Sequence, residues 1–272
     1  MLHVRTAGVL QVPMPSTGQD GATLQADEGG ILWELLQWMP GSPTTKPSGR
    51  QAAAAGDVLA RVHRAAAAWP TCPRRVGHSP GVLHRVARAR DLLARPWATR
   101  LDARYRGPLR ETFERAIAIF AAADGRQAVT RVAEWESRLL VMQPVLRDVW
   151  SDHVLFAGEQ VTGIIDWHTA GIDTPATDVA RLMGSWAVDQ ETMRVFLDSY
   201  SALCPLSGDE VSLVPFLRDT GILFGLDNWF RWIVEESRSF ADRRKLEARV
   251  EFLLSALPVA VRSLARGVSQ AF

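Results

Sequence analysis

The reading of this chain turns on residues 146–167. They run Leu146-Arg147-Asp148-Val149-Trp150-Ser151-Asp152-His153-Val154-Leu155-Phe156, then Ala157-Gly158-Glu159-Gln160, then Val161-Thr162-Gly163-Ile164-Ile165-Asp166-Trp167. Two short apolar runs, Val154 to Phe156 and Val161 to Ile165, flank a polar turn containing glycine, which is a hairpin pattern. Asp148 stands before the first run and Asp166 directly after the second, 18 residues apart (166 − 148). A hairpin between them folds both carboxylates to the same end. Phosphoryl transfer needs that arrangement: one carboxylate orients the attacking hydroxyl or takes its proton, and the other holds the magnesium that bridges the nucleotide phosphates. Either aspartate alone reads equally well as a turn cap; it is the pair that points to phosphate chemistry.

Position 153, five after Asp148, is where protein kinases carry an asparagine as a further metal ligand; here it is His153. Neutral imidazole binds metals, although magnesium favours oxygen. His153 therefore has two readings, a metal ligand or a buried histidine hydrogen-bonded to the loop.

Outward from this centre, Val12 to Gly21 reads as a loop. Strands are expected around Thr23 to Ala26 and Ile31 to Trp38, joined by the turn Asp27-Glu28-Gly29-Gly30 and stopped by Met39-Pro40-Gly41. Helical spacing follows over Ala52 to Ala68 and Val82 to Leu93. A further helix is expected to open at Pro108, with Leu109, Phe113, Ala116, Ile117 and Phe120 on one face, and another runs to about Leu140. Beyond Pro175 the chain reads as helices over 177–188, 190–203, 208–237 with a break, and 242–264. Clustered short strands among long helices predict an α+β fold, not a doubly wound parallel sheet. The aromatic stripe Trp229, Phe230 and Trp232 reads as core, and Glu235 and Glu236 one turn later are candidates for facing a cationic acceptor.

Composition narrows the partners. The 272 residues carry a net charge of +1, with 47% hydrophobic and 22% charged residues, so neither nucleic acid nor an anionic membrane is indicated. Of the 31 basic residues only Lys46 and Lys245 are lysines, and no basic run interleaves with aromatics. Cys72 and Cys204 fall in no ligand spacing. No run approaches the ~20 apolar residues of a membrane span, and residues 1–11 lack the pattern of a signal peptide, so a cytoplasmic location is expected.

Taken together, the segments resemble the aminoglycoside phosphotransferase family, which includes choline-kinase-like and homoserine-kinase-like proteins. That family reads His-Gly-Asp-x-His-x-x-x-Asn followed by apolar residues, and after a hairpin Ile-Ile-Asp-aromatic. Asp148 matches its catalytic aspartate, and Gly163-Ile164-Ile165-Asp166-Trp167 matches its metal-binding strand end. Asp173-Thr174-Pro175-Ala176-Thr177-Asp178-Val179-Ala180-Arg181-Leu182 resembles its Asp-Pro-x-x-Asp-Leu-Ala-Arg segment, and Leu59-Ala60-Arg61-Val62-His63 its Leu-Ala-x-Leu-His helix end. Trp33 to Gly41 looks like the strand and hinge that join the two lobes.

The resemblance implies a protein-kinase-like fold: a partial N-terminal β lobe, residues 1–39, and a mostly helical C-terminal lobe, residues 40–272. It implies ATP and magnesium, with the γ-phosphoryl group passing to a hydroxyl of a small molecule. Asp148 is then catalytic, Asp166 and His153 hold metal, and the backbone at Trp38 and Met39 receives the adenine. Asp178 braces the catalytic loop by accepting backbone N–H bonds. The chain departs from the pattern at Leu146-Arg147, in place of His-Gly, and at His153. It also has no lysine before Lys46, where the family's phosphate-gripping lysine would precede the hinge. The missing lysine implies either a start codon set too far downstream or a truncated or degenerate homologue, and together with His153 it sustains the rival reading, a catalytically impaired kinase-like binding or regulatory protein.

Overall fold

The computed structural model describes residues 1–267. It forms two compact units: residues 1–75 with 141–207, and residues 76–140 with 208–267. These units are distinct from the division at residues 39 and 40, which rests on family likeness.

The first unit opens with a short helix α1 (Leu2–Thr6) and the hairpin β1 (Leu24–Ala26) and β2 (Leu32–Glu34), paired antiparallel with Gln25 opposite Trp33. The expected turn forms because Asp27 Oδ1 accepts the N–H groups of Gly29 and Ile31, both at 2.9 Å, and Gly30 takes a φ of +78°. The strand β3 (Ser42–Pro43) follows, then α2 (Gly49–Ala67). Ser48 caps α2: its hydroxyl accepts the Gln51 N–H at 3.2 Å, and the Gln51 side chain returns to the Ser48 N–H at 2.9 Å. A strand β4 (Arg75–Gly77) marks the passage to the second unit, where α3 (Pro80–Ala94), α4 (Trp97–Arg100), α5 (Arg110–Ala122) and α6 (Gly125–Val132) follow. The helix expected to open at Pro108 begins at Arg110, because Leu109 is left-handed at φ +62° and breaks the helical path behind the proline.

The chain returns to the first unit through β5 (Leu140–Val145), then β6 (Val154–Ala157), β7 (Gln160–Ile164) and β8 (Gly171–Asp173), then α7 (Ala176–Met183) and α8 (Gln190–Leu203). The expected hairpin is β6–β7, with Val154 opposite Ile164, and β3 adds to its outer edge, Ser42 opposite Phe156. β3, β4 and β8 went unread because two or three residues are too few for a period to show. The core of this unit is α2 against α8. Gly56 makes that approach possible: a Cβ there would lie 2.4 Å from the Phe196 carbonyl oxygen.

The second unit closes with α9 (Gly208–Phe230), a π-helical turn over Arg231–Glu235, and α10 (Arg243–Arg266), capped by Asp242 accepting the Lys245 N–H at 2.9 Å. Phe230 meets Phe113 edge to face at 5.1 Å, so the centre of the aromatic stripe is core, as its spacing predicts. Glu235 and Glu236 do not offer free charge to a cationic acceptor. Glu235 is held by Arg95 at 3.2 Å and Arg100 at 2.8 Å, and Glu236 by Arg231 at 3.2 Å and Arg238 at 2.6 Å.

Beneath them Asp227, 2% exposed, accepts from Trp97 Nε1 at 2.8 Å, Arg100 Nη1 at 2.7 Å and Arg88 Nη2. Burial pushes its carboxyl upward, but hydrogen bonds from Arg88, Trp97 and Arg100 outweigh this and leave its pKa below the ordinary value. A lowered carboxyl contributes stability that is present above the unfolded-state value and is lost as pH falls through the folded one. Asp227→Asn is therefore expected to cost about 2 kcal/mol at pH 7, with the gap from wild type closing in urea melts as pH falls below the ordinary carboxylate value. Among the described residues no helix is long and apolar enough to cross a membrane.

Candidate functional site

β5 delivers the chain into residues 146–150, and three buried groups fix their path. Asp178, in the first turn of α7, is fully buried and accepts the Leu146 N–H on Oδ2 and the Arg147 N–H on Oδ1, both at 2.7 Å. Its Oδ2 also takes His63 Nε2 at 3.0 Å, and the far side of that ring meets the Tyr200 hydroxyl at 2.7 Å. The brace expected of Asp178 is thus present, and His63 holds the brace itself. Without it the buried Leu146 N–H would go unpaired.

Arg147 stands at φ +67°, a left-handed position that a glycine takes without strain. Its side chain lies over Gly171, where a Cβ would come 2.8 Å from Nη1. Arg147→Gly is expected to raise stability by about 0.5–1 kcal/mol by relieving the backbone. Arg147→Ala keeps the strain and gives no such gain, so the pair of thermal melts separates backbone relief from loss of the side chain.

Asp148 follows with its side chain 26% exposed, and Oδ1 touches Arg181 Nη2 from α7. His153 lies beside it in a short 3-10 turn, Ser151–His153. Its Nδ1 meets the Asp148 carbonyl oxygen at 2.7 Å, so that nitrogen carries the proton. Its Nε2 accepts the Trp150 indole N–H at 2.9 Å and stands 3.4 Å from Asp166 Oδ2. Both ring nitrogens are thereby engaged, and the ring stands between the two aspartates.

Asp166 ends the hairpin at φ +62°, a second left-handed non-glycine residue in this small region. Strain of this kind persists where the surroundings over-determine it. The determinants are present: Ile165 N–H donates to the His153 carbonyl at 2.9 Å, Trp167 Nε1 donates to the Ile164 carbonyl at 2.8 Å, and Thr169 Oγ1 donates to the Leu146 carbonyl at 2.9 Å. The Asp166 loop is in this way stitched to the Asp148 loop. Asp166 Oδ1 touches His168 Nδ1.

The Trp38–Met39 segment meets the same hairpin. Met39 is 6% exposed and packs on β7, where a Cβ on Gly163 would lie 2.8 Å from Met39 Cβ. Thr162 Oγ1 donates to the Pro40 carbonyl. Trp38 is 87% exposed, and among the described residues no backbone hydrogen bond engages Trp38 or Met39.

Among the described residues no three of His, Cys, Asp and Glu stand close enough to hold a metal by themselves. Magnesium does not require that, since it commonly takes one or two carboxylates with substrate phosphates and water. Asp166, 38% exposed, fits such a role. A cavity of about 380 Å³ lies behind the loop, lined by Val62, Trp69, Leu146, Trp167 and Ile172 among others. Those apolar walls offer a phosphate nothing. Sequence reasoning passed over Arg181 and Trp150. Arg181 had a signal: it sits three residues after Asp178, one helical turn, and so shares its face.

The likenesses to known proteins agree with this geometry. A family model described as the phosphotransferase enzyme family matches residues 1–206. Relatives include a homoserine kinase of Rhizobium etli, 25% identical over 243 residues covering 86% of this chain and 68% of that protein. A homoserine kinase of Bradyrhizobium diazoefficiens is 27% identical over 241 residues, covering 86% and 67%. The chain thus spans about two thirds of their length. Among solved structures, a spectinomycin phosphotransferase in complex with ADP and spectinomycin superposes with a TM-score of 0.65 at 14% identity, covering 97% of this chain and 79% of that one. An aminoglycoside phosphotransferase of Alicyclobacillus acidocaldarius gives a TM-score of 0.58 at 16% identity, covering 98% and 81%. At such identities these two show the fold, which is kinase-like and α+β. The family match takes in Trp38, both aspartates and the helix that braces them, and the chain belongs to the phosphotransferase enzyme family.

Proposed function

We propose that this chain transfers the γ-phosphoryl group of ATP to a hydroxyl of a small molecule. The observation that carries the reading is the joined pair of loops: Asp148 and Asp166 stand on either side of His153, on backbone held by the Asp178 carboxylate and the His153 ring. In this reading Asp148 orients the acceptor hydroxyl and accepts its proton, and catalysis rests mainly on positioning and charge. Asp166 holds magnesium, which supplies charge neutralisation at the phosphates. His153 takes the second ligand position when Nε2 gives up the Trp150 indole. The unengaged backbone at Trp38 and Met39 receives the adenine edge, and residues 1–39 serve as the N-terminal lobe. The names of the relatives make L-homoserine the first acceptor to try, and a cytoplasmic location goes with this reading.

Calorimetry with ATP, with and without magnesium, tests this on wild type and Asp166→Ala. The expected result is magnesium-dependent binding in wild type that Asp166→Ala weakens at least tenfold. Absence of magnesium-dependent nucleotide binding in wild type would sink the reading.

A second reading, a nucleotide-binding protein of the same fold that does not transfer phosphate, draws on the ion pair that occupies Asp148 and on the capped nitrogens of His153. Nucleotide binding without phosphate transfer to any hydroxyl acceptor would favour it.

A further inference from the structure

We infer that Arg181 is the residue of this chain that grips the transferred phosphoryl group. The inference rests on the phosphotransferase reading above.

Arg181 projects from α7 in the same turn as Asp178, whose carboxylate holds the Leu146 and Arg147 N–H groups. The helix that sets the backbone of the Asp148 loop therefore also sets the guanidinium beside the Asp148 carboxylate. Arg181 spends one nitrogen, Nη2, on Asp148 Oδ1, and among the described residues no other acceptor engages it. A guanidinium carries five N–H donors in a planar fork suited to phosphate oxygens, so four are unspent. Its side chain is 46% exposed and opens to solvent.

The chemistry then places the phosphate. The attacking hydroxyl must lie about 3 Å from the Asp148 carboxylate for its proton to be accepted. The phosphorus must lie about 3–3.5 Å beyond that oxygen for attack. A cation already in contact with Asp148 is therefore within one hydroxyl group of the equatorial phosphoryl oxygens, where negative charge concentrates in transfer. The ion pair with Asp148 is the resting arrangement. When nucleotide enters, the fork keeps one N–H on Asp148 and turns others to the γ-phosphate. The same contact keeps the Asp148 carboxylate aimed, so Arg181 acts both on the transferred group and as a positioning residue for Asp148.

Binding of ADP and of the non-hydrolysable analogue AMP-PNP, each with magnesium, tests this by calorimetry on the whole protein, because the two nucleotides differ in the γ-phosphate. Arg181→Gln is expected to weaken AMP-PNP about tenfold, as for loss of a partly exposed charge-assisted contact, and to leave ADP within twofold. Arg181→Lys keeps charge without the fork and is expected to fall between. Asp148→Asn releases the guanidinium and is expected to tighten AMP-PNP relative to ADP, an effect absent in the Asp148→Asn, Arg181→Gln double variant. Equal effects on ADP and AMP-PNP, or none on either, would overturn the inference while leaving the phosphotransferase reading in place. So would a rise in the KM for L-homoserine with both nucleotides unchanged, which would put Arg181 on the acceptor. Wild type that binds neither nucleotide would remove both. Thermal melts of each variant check that the fold is retained, and Arg181→Lys carries the comparison if Arg181→Gln fails to fold.

Discussion

Asp148→Asn is expected to lower the rate of phosphate transfer by roughly two to four orders of magnitude, the usual worth of a positioned acid–base group. The asparagine keeps the shape of the side chain, so the loop stays in place: its backbone is held from Asp178 and His153, not from Asp148 itself. What changes is the ability to take a proton from the acceptor hydroxyl. The effect should therefore appear in kcat, with the affinity for ATP retained or tightened. Single-turnover transfer from radiolabelled ATP, measured beside calorimetric ATP affinity, separates the two. A variant that transfers at more than a tenth of the wild-type rate would remove Asp148 from the catalytic role and shift the proton to another group or to water.

Asp178→Ala is expected to cost about 3–5 kcal/mol of folding stability, the range for stripping one partner from a fully buried charged network. Three donors lose their acceptor together: the Leu146 and Arg147 N–H groups and His63 Nε2. Two of the three cannot turn to water, because His63 is fully buried and Leu146 is 1% exposed, while the Arg147 N–H is only partly buried. Activity should fall with stability, since the loop that carries Asp148 loses its two backbone anchors. Asp178→Asn retains one carbonyl oxygen and is expected to lie between. Urea melts give the stability change, and temperature-dependent activity shows whether residual folded protein still transfers phosphate. A loss below about 1 kcal/mol would mean that the loop holds its path by packing alone.

Much of this protein is legible along the chain because the signals are local. Ser48 and Gln51 cap α2 three residues apart, Asp27 and Gly30 make their turn within four residues, and α8 runs from Gln190 to Leu203 as its spacing predicts. Asp148 and Asp166 are legible for the same reason: a hairpin of short strands can fold its two ends only to one side. The likeness of Asp173 to Leu182 to the family pattern assigns Asp178 its task, and its hydrogen bonds from the Leu146 and Arg147 N–H groups perform it.

What stayed hidden depends on distance in sequence. Arg181 and Asp148 are 33 residues apart, His63 and Asp178 are 115, and His63 and Tyr200 are 137. No periodicity carries a pairing over such spans, because it exists only once β5, α2, α7 and α8 pack. Glu235 shows the opposite error: it reads as free charge because the arginines that neutralise it, Arg95 and Arg100, are 140 and 135 residues away. His153 is the sharpest case. The sequence by itself determined that an imidazole stands where a metal-ligand asparagine would, and that two carboxylates share one end of a hairpin. Only the tertiary structure decided that this imidazole donates to the Asp148 carbonyl and accepts from Trp150. Residue type sets which atoms can donate and accept; packing alone sets which partners come within 3 Å.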